Sequence, residues 1–242
     1  MIKKFILCAV AGLLLSNCAF ARDCEIVHKS VNFYEKQIAE HPNYVCAFYN
    51  LANEYYLKKK YQEALNTYKD LIALYPKEER AYIKRAQIYH KFKQEDYAAR
   101  EYGRLVKNVP ESVFGNEQMA YIYQNLSDYD NALRYINKAI ELTQEEDSDI
   151  NWRIYQRAKI LKDMSKYEEA IEDFTKYTKS DAKYNYDGYS EISECYKSLG
   201  NTAKEKEAYA KWSYSLKKNK HKIGLIRNIK WYYHKFKPDF VY

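Results

Sequence analysis

Apolar positions along this chain recur with two periods at once. Locally they fall three and four residues apart, the spacing of one helix face. Over longer distances the whole pattern returns every 34 residues. Pro42, Pro76 and Pro110 keep that interval, as do Ala52, Ala86 and Ala120, then Tyr55, Tyr89 and Tyr123, and then Ala64, Ala98 and Ala132. A fixed period of this length predicts a stack of like supersecondary units, none of which buries its apolar face alone.

Aligned by period, five units cover residues 45–78, 79–112, 113–146, 151–184 and 186–219. Each reads as two amphipathic helices joined by a short polar turn. The first helix carries a small column, Ala52, Ala86, Ala120, Ala158 and Ser193; a large column, Tyr55, Tyr89, Tyr123, Leu161 and Tyr196, lies three residues on. The second helix has Ala64, Ala98, Ala132, Ala170 and Glu205, then Tyr68, Tyr102, Ile136, Phe174 and Tyr209 four residues on. Small residues let two helices approach, and an aromatic one turn away fills the space beside them. Pro76 and Pro110 end their second helices, because proline cannot continue the helical hydrogen-bond ladder. Residues 25–41 read as one more helix, with Val31, Tyr34 and Ile38 on one face; with its flanks (22–44) it forms a half-repeat over the open end of the stack. The extra residues Asp147 to Ile150, in an acidic stretch from Glu145, predict a longer loop and a bend.

This order of small, aromatic, small, aromatic and proline resembles the tetratricopeptide repeat over about 175 of the 242 residues. The resemblance implies an all-α, right-handed superhelical solenoid of antiparallel helix pairs. The N-terminal helix would be a half-repeat, and 220–242 a capping helix. It also implies a concave groove, lined by first helices, that binds another protein or an extended peptide. Carried over by column, the ligand-facing residues are Tyr49, Asn53, Arg80, Gln87, Tyr121, Trp152, Tyr155 and Lys159. Aromatic platforms with amide donors suit a peptide backbone. Arg80, Lys159 and Lys162 would favour acidic groups on it. The alternative is that the aromatics only stack between repeats. Arg85 and Arg157 stand where the family usually has Leu, and Asn116 where it has an early aromatic. The family's carboxylate clamp is missing: Tyr49, Lys84, Phe114 and Gln118 occupy its Lys, Asn, Lys and Arg columns.

Charge and cysteine placement extend this picture to compartment. Lys3 and Lys4, an apolar run from Phe5 to Leu15, and Ala19-Phe20-Ala21 read as a secretory signal peptide (1–21) cut after Ala21. The product would be periplasmic or secreted. Leu15-Ser16-Asn17-Cys18 resembles a lipobox, so the alternative is an envelope lipoprotein held through Cys18. Export permits a Cys24–Cys46 disulfide, the alternative being two separate packed thiols; Cys195 reads as a buried thiol. Residues 22–210 are mildly acidic, whereas 211–242 hold nine Lys/Arg against Asp239 alone. In that tail Ile226, Ile229, Tyr233 and Phe236 recur at helical spacing. It reads as a cap, or as a basic helix that touches an anionic membrane surface through Arg227, Lys230 and Lys235. Export argues against nucleic acid as a partner.

Catalytic signatures are missing from the sequence. The five His, at 28, 41, 90, 221 and 234, form no zinc-type pair, and no CxxC, glycine-rich phosphate loop or G-x-S-x-G occurs. The expectation is a non-enzymatic protein with no metal and no cofactor.

Overall fold

The structure, a computed structural model, describes residues 24, 26–143, 149–180 and 186–218. The expectations for the signal peptide, for Cys18, for Glu145 to Ser148 and for the tail from 220, with Arg227, Lys230 and Lys235, lie outside these residues. The described residues form eleven α-helices and no strand. They are α1 (Val31–Glu40), α2 (Val45–Leu57), α3 (Tyr61–Leu74), α4 (Glu79–Lys91), α5 (Glu95–Asn108) and α6 (Val113–Asn125). Then come α7 (Tyr129–Leu142), α8 (Ile150–Asp163), α9 (Tyr167–Lys179), α10 (Tyr186–Ser198) and α11 (Thr202–Lys218). They make one lone helix followed by five antiparallel helix pairs.

The chain divides into two compact units, between Pro110 and Glu111. In the first unit α1 packs on α2, α2 on α3, α3 on α4 and α4 on α5. In the second each helix from α6 to α11 packs on the next. The small columns explain how the pairs close. Ala52, Ala64, Ala86 and Ala98 in the first unit are fully buried, as are Ala132, Ala158 and Ala170 in the second. With only a methyl group at the crossing, backbones approach closely, and Tyr68, Tyr82 or Phe174 fill the adjoining space.

Two local devices repeat along the chain. Three residues join the helices of every pair, and the middle one adopts a left-handed conformation: Lys59 (φ 60°), Lys93 (56°), Ser127 (57°), Ser165 (60°) and Gly200 (72°). Where a proline follows a helix, the preceding residue leaves the helical region. His41, Tyr75 and Val109 have φ of −134°, −131° and −133°, because the proline ring clashes with a helical residue before it.

α1 starts at Val31, later than the predicted 25. Ser30 ends the preceding non-helical segment: its side chain accepts a hydrogen bond from the Phe33 amide at 3.2 Å. That segment is tied down three times. A disulfide joins Cys24 to Cys46, the Tyr34 hydroxyl donates to the Val27 carbonyl, and His28 Nδ1 lies 2.9 Å from Glu54 Oε1. At Asn116, which lacks the aromatic of its column, the buried side-chain amide donates to the Ser112 carbonyl at 2.7 Å.

Candidate ligand-binding surface

In the first unit α2 supplies Tyr49 and Asn53, and α4 supplies Arg80 and Gln87. Three of these four form one linked cluster. The Arg80 guanidinium lies 4.4 Å from the centre of the Tyr49 ring, and its Nε donates to Glu78 Oε1 at 3.1 Å. Tyr49 is buried edge-on against Tyr68, whose hydroxyl donates to Asn53 Oδ1 at 2.6 Å. Burial raises the pKa of both phenols, with Arg80 partly opposing it, so both stay neutral. Tyr49 thus supports Arg80 from beneath instead of offering its own ring. Gln87 is half-buried, two turns along α4 from Arg80.

In the second unit the exposed groups are different. Tyr121 on α6 is 60% exposed and Trp152 on α8 is 39% exposed. Trp152 stacks on Tyr155 at 5.4 Å. Tyr155 is held from behind by Phe174 and Tyr177, and its hydroxyl donates to Glu191 Oε1 at 3.2 Å. Burial, then the Glu191 carboxylate, pushes the Tyr155 pKa far up. Lys162 donates to the other Glu191 oxygen and, at 2.7 Å, to Glu194. Burial works against its ammonium, but these two carboxylates outweigh it and the pKa rises. The charge of Lys162 is therefore spoken for within the chain, and it does not stand free for an acidic ligand as the sequence suggested. Lys159, half-buried one turn before it, forms no ion pair with a described residue. Arg153 on α8 pairs with Glu117 on α6 at 3.4 Å, and Gln124 bonds Asp163 at 2.6 Å. Sequence reasoning missed Glu191, Glu194 and Arg153 as partners, since each contact crosses from one repeat to another and leaves no local signature.

The arginines that depart from the repeat pattern have a shared role. Arg85 Nη1 donates to Glu101 Oε2 at 2.9 Å, both side chains being buried, and Arg104 adds a second cation at 3.1 Å. In the second unit Arg157 grips Asp173 with two parallel bonds, 2.6 and 2.8 Å, and Lys176 follows at 3.2 Å. The bond to Asp173 raises the Arg157 pKa further. The free Cys195 is buried, and burial pushes its thiol up to about 11.

Tetratricopeptide repeat profiles match residues 49–113, 116–146 and 154–184, together more than half of the chain. The chain belongs to the tetratricopeptide repeat family. Solved structures agree on the fold. YrrB, described as a tetratricopeptide protein with an unusual peptide-binding site, is 19% identical; the match covers 76% of this chain and 92% of that one, with a TM-score of 0.62. BtubC from P. vanneervenii is 15% identical over 81% and 91% of the two chains, TM-score 0.59. PilW, a type IV pilus biogenesis factor, is 16% identical over 79% and 80%, TM-score 0.53. No curated protein sequence matches. Among the described residues of this tetratricopeptide chain, no helix is long and apolar enough to cross a membrane. Nor does any group of three His, Cys, Asp or Glu among them stand ready to hold a metal ion.

Proposed function

We infer that this tetratricopeptide protein is a non-enzymatic scaffold or adaptor that binds a segment of another protein on the first helices of its repeats. The observation that carries this reading is in the second unit. Tyr121 and Trp152 expose ring area while Lys159 forms no ion pair with a described residue. Exposed aromatics and an ammonium on first helices of one unit suit an extended peptide bearing an acidic side chain or terminus. In the first unit Arg80 is set on Tyr49 but already pairs with Glu78, so that unit offers a partly neutralised guanidinium with the Gln87 amide two turns along α4. The peptide-binding site in YrrB's description supports this use of the fold and no particular ligand.

The protein acts outside the cytoplasm on this reading. The signal-like residues 1–21 and the Cys24–Cys46 bond support it, since disulfides persist in oxidising compartments. The mass of the product recovered from its own cells distinguishes cleavage before Arg22 from a lipid on Cys18. In-cell crosslinking followed by mass spectrometry, on wild type and on a Tyr121→Ala, Lys159→Ala double variant, tests the site. A partner held by the wild type and lost from the variant is the expected result; equal capture by both sinks the proposal.

A further inference from the structure

At the turns of repeats one and two, lysine stands where the later repeats have other residues. Lys58-Lys59-Lys60 joins α2 to α3, and Phe92-Lys93-Gln94, preceded by Lys91, joins α4 to α5. The equivalent turns of repeats three to five are Leu126-Ser127-Asp128, Met164-Ser165-Lys166 and Leu199-Gly200-Asn201, with Lys166 their only lysine. The middle residue of each turn is left-handed, which strains any residue with a Cβ. Ser127, Ser165 and Gly200 hold that position in the later repeats, whereas Lys59 and Lys93 hold it in the first two. A long charged side chain is thus kept where glycine would relieve the strain, and strain of this kind marks functional positions.

The two turns form one continuous edge. The Tyr61 ring meets Phe92 at 5.0 Å and Tyr56 at 5.5 Å. The Lys91 ammonium lies 5.4 Å from the centre of the Tyr61 ring and 5.6 Å from that of Tyr56. Tyr97, in the first turn of α5, stacks on Tyr89 at 5.3 Å. Along this edge Leu57, Phe92 and Tyr97 are 57%, 49% and 51% exposed. Lys58, Lys59, Lys60 and Lys93 are exposed as well, and none of them forms an ion pair with a described residue. The acids in the first turns of α3 and α5 are Glu63, Glu95 and Asp96, and Glu95 is engaged with His90. The lysines at 58, 59, 60, 91 and 93 outnumber them, so the edge is both basic and apolar.

We propose that this edge of the first unit rests on a membrane surface rich in anionic phospholipid, with the lysines at the headgroups and Leu57, Phe92 and Tyr97 entering the interface. Two features select a bilayer over an acidic protein. Apolar and aromatic side chains stand among lysines at exposed turns, which is the composition of an interfacial contact. The basic residues of both turns are also all lysine. A site that reads carboxylates favours the fork of arginine, whereas lysine is a point charge on a flexible stem and suits a plane of diffusing phosphates. The stem lies along the apolar layer while the ammonium reaches the headgroups. The contact uses none of the tail cations Arg227, Lys230 and Lys235.

Flotation of the full chain with vesicles tests this, using phosphatidylglycerol mixed with phosphatidylcholine against phosphatidylcholine alone. The wild type should float with the anionic vesicles and not with the neutral ones, and its binding should weaken as salt rises. Lys59→Gly with Lys93→Gly removes two charges at positions whose backbone suits glycine, and should weaken binding about fivefold for each lysine lost. Phe92→Ser should weaken binding and leave its salt dependence unchanged. Thermal unfolding checks that both variants are folded, and the glycine variant should melt no lower than wild type. Equal binding by wild type and either variant overturns the proposal and assigns the vesicle contact to another part of the chain. A wild type that ignores anionic vesicles overturns it too. If in that case crosslinking in cells captures a protein with wild type and not with the glycine variant, the edge belongs to an acidic protein.

Discussion

Repeats two and five have the same backbone plan and fill it with different chemistry. In repeat two the seventh position of the first helix is Arg85, buried against Glu101; in repeat five the two equivalent residues are Ile192 and Ala208, 7% and 5% exposed. Repeat four follows repeat two, with Arg157 and Asp173 in the same places. Between these repeats the two members of the pair change together, from ionic to apolar. Buried Ala86 and Ala98 flank the pair in repeat two and Ala158 and Ala170 in repeat four, whereas in repeat five Ser193 and Glu205 stand in those places and the Ser193 hydroxyl donates to the Glu205 carbonyl at 3.2 Å. What the slot between paired helices cannot accept is half of an ion pair, because a buried charge without a partner is costly.

The largest test removes half of the pair. Glu101→Ala, leaving Arg85 buried, should cost about 3–5 kcal/mol in urea unfolding. Arg85→Ile with Glu101→Ala installs the chemistry of repeat five and should recover most of that loss. A double variant as unstable as Glu101→Ala would mean that the two slots are not interchangeable. A smaller contrast lies at the third position, Ala81 in repeat two and Gly188 in repeat five. A Cβ on Gly188 would meet Thr178 Cγ2 at 2.7 Å, so Gly188→Ala should destabilise by about 1–3 kcal/mol, whereas Ala81→Gly should cost about 1.

The tenth position contrasts Ile88 with Cys195. The folded state raises the Cys195 pKa from 9.0 to about 11, so it favours the protonated thiol. That contribution is complete below the unfolded pKa and is lost as pH rises from about 9 to about 11. Unfolding followed across this window should show the loss in wild type and its absence in Cys195→Val. The turns should give the smallest effect. Lys93 and Gly200 both have positive φ, and only glycine tolerates this without strain. Lys93→Gly should stabilise by no more than about 1 kcal/mol and Gly200→Ala should destabilise by a similar amount, read as shifts in Tm.

The helix pairs were legible because their signals are local. The alanine and aromatic columns and the prolines at 76 and 110 each act within one repeat. The start of α1 was not legible, because Ser30 as a cap and the extended segment before it depend on Glu54 and Cys46, far along the chain. The candidate site was legible only as a set of columns. Sequence placed Tyr49 and Tyr121 in the same category, yet Tyr49 is 4% exposed under Arg80 and Tyr121 is 60% exposed. Likewise Lys159 and Lys162 look alike in sequence, and only Lys162 meets Glu191 and Glu194.

By itself the sequence determined the class of fold, the pairing of helices and the departures at Arg85 and Arg157, since periodicity is written in residues three, four and 34 apart. Only the tertiary structure decided which charges remain available and which aromatics are covered. A side chain's exposure and its counter-ion are set by neighbours from another repeat, whose approach depends on packing and not on spacing along the chain.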